Sequence, residues 1–216
     1  MTLRPQSAKD IYAGPVARRY ELSMSHIFTR FKQWAFDQSS LKKGDRVLVF
    51  CCGTGLDFTP LIDKIGSSAE IVGVDFSSQM LSQAQRKIEH FHWDNIKLIQ
   101  ADVSLPISEL AGERFDAAVC TLGLSIIPEY QAAFDQLRSL VKPGGELIIG
   151  DMQLASGRWA YFNPLTLWLS KRYGGTKQGH KNTLTLRAQM QQELAHVRTQ
   201  SYFFGAYFYC IGQTIP

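Results

Sequence analysis

Short, almost uninterrupted apolar runs alternate along this chain with segments whose apolar residues recur at helical spacing. Arg46 to Cys51 is the first such run, and Gly53-Thr54-Gly55 follows it at once. Further runs fall at Glu70 to Asp75, Ile96 to Ala101, Phe115 to Cys120 and Glu146 to Gly150. Runs of this length bounded by polar residues or glycine predict buried strands. Between them, Leu56 to Ile65, Ser77 to His90 and Tyr130 to Val141 predict helices. The second carries Met80, Leu81, Ala84 and Ile88 on one stripe, and the third stops at Lys142-Pro143-Gly144-Gly145.

Alternation of strand and helix predicts a parallel sheet with helices on both faces. Strands that are apolar throughout, rather than at every second position, agree with burial on both sides. Right-handed crossovers then give a doubly wound topology. The tail breaks the pattern. Val197 to Phe203 and Ala206 to Ile211 are aromatic-rich runs separated only by Phe204-Gly205, which is hairpin spacing. The expected fold is therefore α/β and Rossmann-like, with a mostly parallel seven-stranded sheet that ends in an antiparallel hairpin. A helical preface, Ile11 to Ser39, precedes it and contains Tyr12, Tyr20, Phe28, Phe31, Trp34 and Phe36. One domain is expected over residues 1–216: a helical cap (1–44), a ligand-binding core (45–152), and a basic insert with the terminal hairpin (153–216).

Composition narrows the class. Hydrophobic residues are 45% and charged residues 19% of the 216, the range of an ordinary globular domain. Apolar stretches are interrupted by charges before they reach bilayer-spanning length, and Met1 to Pro5 lacks the apolar core of a secretion signal. Four cysteines, none in C-x-x-C spacing, suggest neither a disulfide framework nor zinc, and no metal site is expected. A cytoplasmic setting is expected. The charge is uneven: residues 1–150 carry 16 basic and 17 acidic side chains, and residues 151–216 carry 7 and 2. No acidic residue occurs between Asp151 and Glu193, whereas Arg158, Lys171, Arg172, Lys177, Lys181 and Arg187 do. Such asymmetry suits an anionic partner or a solvated basic face.

In open parallel sheets ligands bind beyond the carboxyl ends of the strands. Gly53 and Gly55 permit a tight turn and close backbone approach ahead of a helix N-terminus. Asp75 lies at the offset expected of a ribose-binding carboxylate. Asp102 and Val103 follow the third strand, and Thr121-Leu122-Gly123-Leu124 follows the fourth. Two cofactor classes use such a layout. A nicotinamide dinucleotide site wants G-x-G-x-x-G, yet Phe58 occupies the third glycine position. A dinucleotide-dependent oxidoreductase is therefore the second reading.

The segments VLVFCCGTGLDF (47–58), IVGVDFSSQML (71–81), IQADVSLP (99–106), FDAAVCTLGLSIIP (115–128) and LRSLVKPGGELIIGD (137–151) resemble those of class I S-adenosylmethionine-dependent methyltransferases. The resemblance is to the type-11 group, which includes ubiquinone/menaquinone and phospholipid methyltransferases. It implies that Gly53 and Gly55 line the methionine half of S-adenosyl-L-methionine, Asp75 holds the ribose, and Asp102 with Val103 holds adenine. Tyr20, Cys51, Met80 and Leu122 complete the expected cofactor set, and no catalytic residue is assigned. The sequence departs from the family where an acidic residue and a glycine normally open the first motif. Val49 and Cys51 stand there, which removes a polar anchor and narrows the turn. A degenerate domain that binds without turnover is the third reading.

The resemblance implies a small-molecule or lipid-like acceptor, a phospholipid amine or a quinone precursor. Residues 157–175 mix aromatics, leucines and cations, with Phe162, Leu165, Trp168 and Leu169 on one helical stripe. That stripe either packs on the sheet or lies against a membrane interface, and the basic stretch 157–187 makes peripheral contact with anionic membrane an expectation. Nucleic acid is not expected. The segment after the fourth strand is apolar and lacks the Asn/Asp-Pro-Pro-aromatic signature of enzymes that methylate exocyclic base nitrogens. His26, His180, Tyr20 and Tyr130 are available as bases, and none is assigned that role.

Overall fold

The computed structural model describes residues 11–12 and 31–215. Residues 31–38 form helix α1. The alternation then runs β1 (Val47–Phe50), α2 (Phe58–Ile65), β2 (Ile71–Asp75), α3 (Ser78–Phe91), β3 (Ile96–Gln100), β4 (Phe115–Thr121), α4 (Tyr130–Ser139) and β5 (Val141–Met152). Helices α5 (Asn163–Lys171) and α6 (Lys177–Glu193) come next, followed by β6 (Ala195–Tyr202) and β7 (Tyr207–Gln213).

The seven strands form one sheet in the order β3-β2-β1-β4-β5-β7-β6. Pairings among β1 to β5 are parallel, while β7 runs antiparallel to both β5 and β6. The order reverses on either side of β1, which places the switch point between β1 and β4. Successive side chains in a strand point to opposite faces, and both faces are covered. Leu48 and Phe50 enter one core with Phe134, Leu186 and Met190, so α4 and α6 cover that side. Val47 and Val49 enter the other with Phe36, Leu61 and Leu81, so α1, α2 and α3 cover the opposite side.

Local chemistry sets the helix starts. Ser77 Oγ accepts the Met80 amide at 3.2 Å and caps α3. Thr176 Oγ1 accepts the Gly179 amide at 2.9 Å and caps α6.

The sheet, its hairpin, strands β1 to β4 and helices α2, α3 and α4 stand where the pattern places them. Three details differ. The hairpin link is longer than Phe204-Gly205, because Phe203 and Phe204 both take left-handed backbone (φ 50 and 57) in a short 3-10 turn. Strand β5 starts at Val141, ahead of Glu146, across an irregularity opposite Phe115. Helix α6 was not foreseen. Its buried positions include Gly179, His180 and Thr183 rather than an apolar stripe, so it carries little periodic signal. Of the expected preface, residues 11–12 and 31–38 are helical, Ser39 stands in a bend, and residues 13–30 lie outside the described residues.

Candidate functional site

The turn after β1 is built from left-handed backbone. Cys51, Gly53 and Gly55 have φ of 52, 55 and 75. Glycine takes this conformation freely, whereas a cysteine there carries strain of about 1–3 kcal/mol. The Cys51 side chain leans toward β4: an ideal Cβ on Gly123 would lie 2.6 Å from Cys51 Sγ and 3.1 Å from Cys120 Sγ. The narrowing expected of Cys51 is thus absorbed by a glycine 72 positions later. Thr54 is buried in this turn, and its Oγ1 has no hydrogen-bond partner among the described residues.

Phe58 explains the missing third glycine. Its ring lies 2.5 Å from an ideal Cβ on Gly55 and 3.0 Å from one on Gly73. A fully buried aromatic ring fills the crevice where a dinucleotide site needs close helix–strand approach.

Asp75 ties the turn to the end of β2. One carboxylate oxygen accepts the Gly53 amide at 2.9 Å and the other accepts the Ser77 amide at 2.9 Å. Burial pushes the carboxyl above its ordinary range, and the backbone donors pull it back. Each oxygen keeps lone-pair capacity for a further donor. Met80 lies close by, its Cε 3.7 Å from an ideal Cβ on Gly53.

Tyr12 closes this corner. Its carbonyl accepts from Ser77 Oγ at 2.9 Å, and its hydroxyl donates to the Tyr173 carbonyl at 3.1 Å. One residue therefore links the start of α3 to the connection between α5 and α6. Burial pushes its phenol well upward, and the nearby Asp75 and Asp151 add to that.

Asp102 and Val103 lie one strand further out. The Ala101 amide donates to the Asp75 carbonyl at 3.1 Å, which fixes their level against β2. Asp102 Oδ1 accepts from the Ser104 amide and hydroxyl at 3.0 and 2.6 Å, while Val103 is buried and its carbonyl accepts from Gln136.

Beyond β4, Leu122 also adopts left-handed backbone (φ 59), and its amide donates to the Gly150 carbonyl at 2.8 Å. Two buried polar clusters flank it. In one, Lys32 Nζ sits 2.9 Å from Asp57 Oδ1 and donates to Thr121 Oγ1 at 2.9 Å, and Thr121 donates to Asp57 Oδ2 at 2.7 Å. In the other, Asp151 accepts from the Ser125 amide at 2.8 Å and the Ser125 hydroxyl at 2.6 Å. Burial pushes the Asp151 carboxyl upward. His180, fully buried, shares a 2.9 Å hydrogen bond with Ser170 Oγ through Nε2, and its Nδ1 has no partner among the described residues.

The structure thus brings Cys51, Gly53, Gly55, Asp75 and Met80 together by direct contact or shared turn. Leu122 lies across β4 from them, and Asp102 with Val103 at the next strand end. Tyr20 and His26 lie outside the described residues. The sequence pattern gives no place in the site to Tyr12, Lys32, Asp57 or Asp151, and offers His180 only as an available base. Asp57 and Asp151 fall inside the motifs quoted above, but neither Lys32 nor His180 stands in any such motif. Among the described residues, no group of three or more His, Cys, Asp or Glu is arranged for a metal, and no helix is long and apolar enough to cross a membrane.

A sequence profile for the methyltransferase domain matches residues 41–200. The chain belongs to the methyltransferase-domain family. Its curated relatives include demethylmenaquinone methyltransferases. That of Staphylococcus saprophyticus is 30% identical over 150 residues, 67% of this chain and 62% of the relative. That of Desulfitobacterium hafniense is 29% identical over 196 residues, 84% of this chain and 76% of the relative. The chain thus spans less than two thirds of the Staphylococcus relative's length. Among solved structures, an O-methyltransferase family protein from Burkholderia thailandensis superposes with TM-score 0.75 at 15% identity, over 98% of this chain and 64% of that one. The plantazolicin methyltransferase in complex with SAH superposes with TM-score 0.65 at 11% identity, over 97% and 94%. At such identities these structures speak for the shared fold of this methyltransferase domain alone.

Proposed function

We propose that this chain is an S-adenosyl-L-methionine-dependent methyltransferase acting on a small lipophilic acceptor, a demethylated quinone precursor. The observation that carries the cofactor is the buried Asp75 carboxylate clamped to the Gly53 amide. It puts an anionic acceptor pair beside a glycine turn at the switch point, as a ribose diol and an extended methionine require. The orphaned Thr54 hydroxyl in the same turn adds a polar group in need of a partner. In this reading Cys51, Gly53 and Gly55 line the methionine portion, Met80 and Val103 enclose the adenine ring, and Asp102 accepts its exocyclic amine. Leu122 faces the reacting end.

The bound cofactor supplies a methyl group already activated on a sulfonium. The chain's own contribution is then alignment and exclusion of water. The half-buried Leu122 offers an apolar wall after β4, with Leu124 packed in the core behind it, and Tyr12 links α3 to the α5–α6 connection. The quinone precursor is supported by the named relatives and by the apolar character of this wall.

Titration with S-adenosylhomocysteine tests the cofactor, with binding in the micromolar range expected. No heat at millimolar ligand would sink the reading. Transfer of a labelled methyl group to a demethylated naphthoquinone then tests the acceptor. Binding without transfer to any acceptor in a panel would favour the degenerate domain.

A further inference from the structure

Helix α5 is turned inside out. The residues it buries are Thr166 and Ser170, while Leu165, Trp168 and Leu169 are 53%, 71% and 54% exposed. Tyr161, one turn earlier, is 86% exposed. The stripe that could have packed on the sheet faces solvent instead. The hairpin link extends it: Phe204, 61% exposed, lies 4.4 Å from the Trp159 ring and 5.9 Å from Phe162, centroid to centroid. Two segments distant in sequence thus contribute to one apolar surface, larger than scattered exposed side chains account for.

The charge around this surface has one sign. Arg158, Lys171, Arg172, Lys177 and Lys181 are all exposed, and none is in an ion pair among the described residues. The Arg158 guanidinium stacks over the Trp159 ring at 4.8 Å. An aromatic and leucine face accompanied by exposed cations, with no carboxylate between Asp151 and Glu193 in the sequence, is complementary to an anionic lipid surface.

We infer that α5 and the Phe203–Gly205 link form a membrane-docking face for bilayers that contain anionic phospholipid. The face adjoins the site. Tyr173, just past α5, holds the Tyr12 hydroxyl, and Gly179 of α6 packs so tightly on the Ser125 carbonyl that an ideal Cβ would lie 1.8 Å away. Docking would therefore bring the carboxyl ends of the strands to the bilayer, where a lipophilic acceptor dissolves. That delivery role rests on the function proposed above; the docking itself does not.

The test is co-sedimentation of the intact chain with vesicles of phosphatidylcholine alone and of phosphatidylcholine mixed with phosphatidylglycerol. Binding is expected to the mixed vesicles, to fall with salt, and to quench tryptophan emission when brominated lipid is included. Trp168→Ser combined with Phe204→Ser should weaken it at least about tenfold, and Lys171→Glu or Arg172→Glu about fivefold each. Circular dichroism and the unfolding temperature of the same variants report whether they are folded, independently of any cofactor. Equal sedimentation with both vesicle types, or binding unchanged by the surface substitutions, overturns the inference. So does a concentration-dependent dimer that buries Trp168 and abolishes vesicle binding.

Discussion

The space that Gly123 leaves empty is the space that Cys51 fills: an ideal Cβ on Gly123 lies 2.6 Å from both the Cβ and the Sγ of Cys51. Gly123 has φ of −142, outside the left-handed region, and the crowding at its Cα comes from Cys51 first and from Cys120 Sγ, 3.1 Å from the ideal Cβ, next. Gly123→Ala should overpack the joint between β1 and β4 and destabilise the protein by about 1–3 kcal/mol. Cys51→Gly, which also relieves a left-handed non-glycine residue, should restore most of the loss. Urea midpoints for the four members of the cycle measure the coupling. Additive effects would show that the two residues do not share this space.

Asp75 receives two amide hydrogens, one on each oxygen. In Asp75→Asn one of those amides would face a donor instead of an acceptor, and in the proposed cofactor pose the ribose would lose an anionic partner. S-adenosylhomocysteine binding should weaken about 10- to 100-fold, the range of a lost hydrogen bond to a charged group. Calorimetric titration, alongside the unfolding temperature of the unliganded variant, separates a lost contact from a loosened turn.

Lys32 and Asp57 are both nearly inaccessible to solvent. Lys32→Met leaves the Asp57 carboxylate buried with Thr121 as its one remaining side-chain partner among the described residues, and should cost about 3–5 kcal/mol. Replacing both, with Asp57→Leu added, should recover much of that, because no charge then remains to be desolvated. Denaturation of the single and double variants decides. A double variant no better than the single one would mean that the pair holds the β1 turn in place by geometry rather than by charge.

The Asp151 carboxyl is pushed up by burial from a starting value of 3.8. A raised carboxyl holds its proton more tightly in the native state than in the unfolded chain. Its contribution is therefore complete below the unfolded pKa and lost as pH rises through the folded one. Asp75 and Glu146 are shifted in the same direction. Asp151→Asn should grow more stable relative to the parent as pH climbs from about 4, then level off. Unfolding free energies across the acid-to-neutral range check the sign, and a pH-independent difference would contradict it.

The fold was readable because β1 to β5 are apolar runs broken by helical periods, a signal carried by neighbours in sequence. The places of Gly53, Asp75 and Asp102 at the strand ends were readable for the same reason, since each strand is recognisable in the sequence. Lys32, Asp57 and Thr121 form a cluster across 89 positions, and no local spacing announces it. Helix α6 escaped because its buried face is made of Gly179, His180, Thr183, Leu186 and Met190, a mixture without apolar rhythm. The stripe on α5 was visible, but its direction was not. Periodicity gives the angle between residues and says nothing of which side meets the sheet.

Strand β7 lies inside the sheet, between β5 and β6. A growing chain therefore reaches the ribosome exit with β5 as a bare edge, and β6 has no partner to join until residues 207–213 have emerged. That edge carries a run of apolar residues, Leu147 to Ile149, and an unpaired edge of this kind invites pairing with another chain. The inner position of β7 makes completion of the sheet a late, long-range event, and the interval before it is when the nascent protein is most exposed to aggregation.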